Sequence, residues 1–216
     1  MYSIENIDIV FDIYGDIYRN ILKKFYPALG STGFPERNLS VNFAKAYESY
    51  VKISNQDVYS WFEFQFGKEK NKHVDAVIMN ETSREIFVIE SKRYSNPNDK
   101  MSEVGEDIDR VFEFAKQIVE ENKPDGAKRI DISRFDRIYG VILADVWTET
   151  DKKKAIKKSY EVGVEDANSQ DSFLNRFSDN VLYSKDLKGL KYNIQSNLNE
   201  SLENYNLVSF VWEVTI

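Results

Sequence analysis

Cysteine is absent from the chain, which excludes disulfides and thiolate metal centres and suits a reducing cytoplasm. No apolar run approaches 18 residues and no segment reads as a secretory leader, so a cytoplasmic protein without a membrane partner is expected. Positive charge is in deficit. Lysine and arginine number 29 against 36 aspartates and glutamates, a net charge of −7, and this weighs against a protein that coats nucleic acid by bulk electrostatics. A local basic cleft is compatible with that balance. Lys152, Lys153, Lys154, Lys157 and Lys158 crowd one short segment, although the simplest reading of such a run is a solvated helix face. There is no Gly-rich phosphate loop, internal repeat or low-complexity linker, and 42% of the residues are hydrophobic. The 216 residues are therefore read as one domain with a substantial core.

The residues that are present centre on His73 to Tyr94, HVDAVIMNETSREIFVIESKRY. Two apolar strands flank a polar turn, yet Asp75, Glu90 and Lys92 stand inside the apolar runs, and isolated buried charges are costly unless they are paired or put to work. Period 2 places Glu90 and Lys92 on one face with Ile86 and Val88, and Phe87, Ile89 and Ser91 on the other. A turn centred between Thr82 and Ser83 makes the numbers of cross-strand partners sum to about 165, so Asp75 falls opposite Glu90. Directly opposed Cβ atoms lie about 4.5–5.5 Å apart, and two carboxylates so close repel unless a proton or a cation lies between them. A hard divalent cation with oxygen ligands suits the arrangement, Mg²⁺ above all where substrate phosphates complete the shell. Lys92 could then hold or activate a water. His73, the only histidine, shares a face with Asp75 by the same period and is read as an ordinary strand residue.

Around this stretch the apolar spacing predicts a first helix, capped by Ser3, through Ile4, Ile7, Phe11, Tyr14, Tyr18, Ile21, Leu22 and Phe25 and ending near Pro27 and Gly30. A second helix starts at Pro35 and buries Leu39, Phe43, Ala46, Tyr47 and Tyr50. Glu36 falls in its first turn, where a glutamate ordinarily complements the helix dipole. Tyr59 to Phe66 alternates, with Phe62, Phe64 and Phe66 on one face and Trp61, Glu63 and Gln65 on the other. Glu63 could serve as an extra ligand, and its simpler reading is a solvent-facing side chain. Tyr94 to Lys100 reads as a loop around Pro97, and Ser102 to Asn122 as a strongly striped helix. Tyr139 to Trp147 is a strand buried on both faces, with Asp145 near its end as a functional or capping residue. Helices are expected at Thr150 to Tyr160 and Lys191 to Tyr205, irregular structure over Gly163 to Gly189, and a closing strand through Val208, Phe210, Trp212 and Val214.

This order predicts an α/β sandwich, a mixed central sheet flanked by helices. With the charged residues it resembles the PD-(D/E)xK nuclease superfamily, the restriction-endonuclease-like fold. That core runs αβββαβ and carries an acidic residue on the second strand and (D/E)-x-K on the third. Here Asp75 stands in VDAVIMN and Glu90-Ser91-Lys92 in IFVIESKRY, with Val74 in the place of the proline. Glu36-Arg37-Asn38-Leu39 is similar to the E-R-x-L setting of an additional helix glutamate in many members, which favours Glu36 over Glu48. The resemblance covers residues 34–147 and leaves an extra N-terminal helix and a C-terminal α/β extension outside it. A bare (D/E)-x-K also occurs at Glu121-Asn122-Lys123, Asp151-Lys152-Lys153 and Asp186-Leu187-Lys188, but none of these ends an apolar strand with an aspartate opposite.

The resemblance implies a Mg²⁺-dependent DNA endonuclease, with Mn²⁺ as a substitute. Asp75, Glu90 and the backbone carbonyl of Ser91 would ligate the metal, and Glu36 would hold it through water or serve a second ion. Lys92 would position the attacking water or stabilise charge, leaving a 5′-phosphate and a 3′-hydroxyl. Lys92, Arg93 and the lysine-rich segment would supply phosphate contacts. A homodimer is the expectation for double-strand cleavage, since two antiparallel strands need two related sites. Two other classes stay open: a non-catalytic binding or assembly module with a partner subunit in a DNA-processing complex, and a metal-dependent enzyme on a small phosphate. Salt dependence separates duplex binding from a small substrate.

Overall fold

Four residues turn the chain between Asn80 and Glu85, and their polar groups close the turn: Asn80 Oδ1 accepts the Ser83 N–H at 3.0 Å, and Arg84 takes a positive φ of 58°. The flanking strands, β2 (His73–Asn80) and β3 (Glu85–Tyr94), pair antiparallel from Asn80↔Glu85 to Ala76↔Ile89, in the register the turn predicts. The computed structural model of the chain describes residues 4–24, 35–53, 55–66, 72–94, 97–120, 130–147, 187–196, 198 and 205–215.

A six-stranded mixed sheet grows outward from this hairpin in the order β1-β2-β3-β4-β6-β5. Strand β1 (Val58–Gln65) runs antiparallel to β2, and β4 (Arg137–Trp147) runs parallel to β3. A parallel pair needs a crossover, here α3 (Pro97–Glu120). Strand β6 (Tyr205–Glu213) is antiparallel to β4, and β5 (Lys188–Ser196) forms the far edge. Helices α1 (Ile7–Lys24) and α2 (Arg37–Lys52) cover the other face. The molecule is thus a mixed α/β fold with helices on both sides of the sheet.

Period 2 divides the apolar side chains between the layers. Ile86, Val88, Ile138 and Ile142 pack with Val104, Ile108, Val111 and Phe114 of α3. Phe87, Ile89, Val141 and Leu143 pack with Phe11, Tyr14, Leu39, Phe43 and Tyr47 from α1 and α2. Strand β4 is buried on both faces from Ile138 to Asp145, as its continuous apolar run predicts. Gly140 lets it approach β6: a Cβ there would stand 2.2 Å from Cζ2 of the fully buried Trp212. Gly140→Ala is therefore expected to cost about 1–3 kcal/mol through overpacking, read as a fall in Tm. An unchanged Tm would contradict this packing.

Three expectations are corrected. Phe62 does not share a face with Phe64 and Phe66. Glu63 adopts a positive φ of 53°, which breaks the alternation, so Phe62 packs toward α2 while Phe64 and Phe66 meet Phe114 at 5.6 and 5.2 Å. Pro97 opens α3 instead of lying in a loop, in agreement with its preference for the first helical position. The segment from Lys191 is a strand, not a helix: Lys191 to Ser196 pairs with Val211 to Asn206. As an edge strand it exposes one face and one row of backbone groups, which leaves little apolar pattern to read. The expected helix at 150–160, the irregular stretch as far as 186, and Ser3, Phe25, Pro27 and Gly30 lie outside the described residues. No described helix is long and apolar enough to cross a membrane.

Candidate active site

Pairing between β2 and β3 stops at Ala76↔Ile89, while β3 continues to Tyr94 against β4 alone. Backbone N–H groups on the abandoned edge need other acceptors, and two carboxylates supply them. The Ser91 N–H donates to Asp75 Oδ2 at 2.6 Å, and the Arg93 N–H donates to Glu36 Oε1 at 3.0 Å. Ser91 and Arg93 are two residues apart, so Asp75 and Glu36 bind the same strand edge about 7 Å apart. Glu36 lies one residue before α2 and makes no capping bond to its own helix. Its carboxylate reaches β3 from the N-terminal end of α2.

On the α3 side, Glu90 and Lys92 meet two further charges that sit one helical turn apart. Arg110 Nη1 lies 2.9 Å from Asp107 Oδ1 and 3.2 Å from Glu90 Oε2, and Lys92 Nζ lies 3.5 Å from Asp107 Oδ2. The side chains of Asp107 and Glu90 are 1% and 4% exposed, those of Lys92 and Arg110 18% and 35%. Glu90 Oε1 is buried and has no hydrogen-bond partner among the described residues. Burial pushes the Glu90 carboxyl up to about 9; the Asp75 charge adds to the rise and Arg110 opposes it. Asp75 is also raised, by burial against the Ser91 N–H, with Glu63 and Glu36 adding and Lys92 opposing. Asp107 is raised by burial to about 6, against the pull of Lys92 and Arg110. The strand end is a desolvated place where negative charge is held at a cost.

The four residues singled out from the sequence, Glu36, Asp75, Glu90 and Lys92, converge on this end of β3. The Ser91 side chain points to the α1–α2 layer by alternation and is 2% exposed, so only the backbone of Ser91 faces the site. Arg93 leaves β3 on the face opposite Lys92 by the same period. Asp145 is 1% exposed, also belongs to the α1–α2 side, and its charge helps raise Tyr14, Tyr18 and Tyr205; it is not brought to Glu90. Glu63 lies at the rim, half exposed, 3.4 Å from His73 Nε2, and its charge reaches Asp75. The lysine-rich run lies outside the described residues.

Asp107 and Arg110 were not singled out. Asp107 did carry a signal, because it interrupts the apolar face of α3 between Val104 and Val111 as Asp75 interrupts β2. Among the described residues, no group of three His, Cys, Asp or Glu side chains is placed to hold a metal ion. Compared with family models, curated proteins and solved structures, the chain matches none.

Proposed function

We propose that this chain is a divalent-metal-dependent DNA endonuclease built on a PD-(D/E)xK core of the restriction-endonuclease-like type. The observation that carries the proposal is the strand end itself. The Asp75 charge adds to the cost of ionising the buried Glu90, one buried Glu90 oxygen lacks a partner among the described residues, and Lys92 follows two residues on. The order of elements from α2 to β4, αβββαβ, supports the same core.

The donor set fits a hard cation. Asp75, Glu90 and the Ser91 carbonyl, which leaves β3 on the same edge as its N–H, would hold it, and Glu36 stands next along that edge. Mg²⁺ keeps several waters and takes one or two carboxylates together with substrate phosphates, so no third side chain is required. When bound, it supplies polarisation of the scissile phosphate and a water of lowered pKa. Glu90 would have to release its proton to solvent to take part, and its orphan Oε1 would be the atom available as a ligand. Lys92, held from below by Asp107, is placed to orient the attacking water or to bear on charge at the phosphate. Glu36 keeps the end of β3 in place through the Arg93 amide.

Supercoiled plasmid incubated with the protein at low salt tests the assignment. Nicking or linearisation with Mg²⁺ or Mn²⁺, abolished by EDTA and weakened steeply by added salt, is the expected result. Inertness on duplex, single-stranded and branched DNA with either cation would sink the catalytic assignment and leave a binding module.

A further inference from the structure

We propose that Arg110 is a second phosphate-binding cation of this site, fixed by Asp107 and Glu90 and presented to the non-bridging oxygens of bound DNA; this rests on the nuclease reading above. The arrangement is anchored on one side and open on the other. Its two anchoring carboxylates are 1% and 4% exposed, whereas the Arg110 side chain is 35% exposed. The part of the guanidinium left in solvent is open to an anionic ligand, which a fully buried counter-ion would not be.

Both contacts, at 2.9 and 3.2 Å, are made by Nη1. A guanidinium carries five N–H donors in a rigid fork, and a single terminal nitrogen accounts for two. Among the described residues at least three therefore remain for a partner with several acceptor oxygens, which a phosphodiester offers to a bidentate fork. Arginine is also less hydrated than lysine, so it gives up less on meeting an anion.

Asp107 sets the spacing of this cation from Lys92. One of its oxygens faces Arg110 and the other faces Lys92, so one buried carboxylate on α3 holds two cations over the end of β3. Asp107 is thereby a positioning residue. Arg110 is the group that touches substrate, and it places positive charge beside Glu90 without a second metal ion.

Anisotropy of a labelled duplex oligonucleotide tests this, with Ca²⁺ in place of Mg²⁺ and salt varied. Arg110→Met is expected to weaken binding about tenfold, in line with loss of a charge-assisted contact, and to lower the slope of log K against log salt by about one. Arg110→Lys keeps the charge that the fold needs; it should keep the wild-type slope and still lose several-fold in affinity, because the fork is gone. If Arg110→Met binds with wild-type affinity and slope, or if Arg110→Met does not fold and Arg110→Lys binds as the wild type does, the proposal is overturned and Arg110 is only a counter-ion. Wild-type cleavage in Mg²⁺ with such a result would leave the nuclease assignment standing. Wild-type binding that ignores both the cation and Asp75→Ala, with no cleavage in Mg²⁺ or Mn²⁺, would remove the nuclease assignment, and the Arg110 variants would still decide the phosphate contact.

Discussion

Replacing Lys92 with alanine should lower Mg²⁺-dependent cleavage by about 10²–10⁴-fold, the range for one group that handles a proton in the transition state, well beyond the several-fold loss of duplex affinity, measured with Ca²⁺, that one phosphate contact accounts for. Lys92 is mostly buried, and its ammonium is tied to Asp107 at 3.5 Å; a lysine so held positions an atom, whereas a free surface lysine adds only diffuse attraction. The fold should tolerate the change. Asp107 keeps Arg110 at 2.9 Å, and its carboxyl, already pushed up to about 6, can take a proton at modest cost once Lys92 is gone. Lys92→Arg is not expected to restore the rate, since a planar fork cannot occupy the place of a compact ammonium. Single-turnover rates on a short duplex decide the matter, and a rate for Lys92→Ala within a few-fold of wild type would remove Lys92 from the chemistry.

Glu90→Gln should stabilise the metal-free protein at pH 8 while destroying its activity. The Glu90 carboxyl rises from 4.5 to about 9 on folding, chiefly through burial. Between those values the folded chain holds a proton that the unfolded chain has released, so stability falls as pH rises through this window. Glutamine keeps the shape, has no proton to lose, and can still accept from Arg110. We expect a gain on the order of 2 kcal/mol at pH 8, or several degrees in Tm for a chain of this size, and a flatter dependence of Tm on pH between 5 and 9. Thermal melts of both proteins across that range check the sign. A lower Tm for Glu90→Gln at pH 8 with an unchanged pH profile would mean that Glu90 is content as an anion. A site that strains its own fold and is relieved by mutation is a common signature of function.

The hairpin and its register as far as Ala76↔Ile89 were legible in the sequence because two local signals agreed, a polar turn and flanking apolar runs with period 2; the ladder ends one pair short of Asp75 and Glu90, and Asp75 bonds the Ser91 amide instead. Burial of β4 on both faces followed from its unbroken apolar run. The position of Glu36 was legible only through resemblance. Its bond to the Arg93 amide depends on where β2 ceases to pair with β3, and no residue of α2 encodes that. The face of Phe62 was not legible, since it turns on a positive φ at Glu63, a conformation that glutamate seldom adopts. Strand β5 was misread as a helix because an edge strand with lysines at 188 and 191 carries little periodic apolar pattern. Asp107 was legible in principle: a carboxylate in the apolar stripe of a helix poses the same question as one in an apolar strand.

The central claim is that Asp75 and Glu90 are brought together to share a divalent cation. Calorimetric titration of the DNA-free protein with Mn²⁺, beside Asp75→Ala and Glu90→Gln, measures this directly. The predicted result is saturable binding by the wild type, with proton release as Glu90 ionises, and loss of that binding in both variants. Absence of binding to the wild type, or equal binding by all three proteins, would contradict the account.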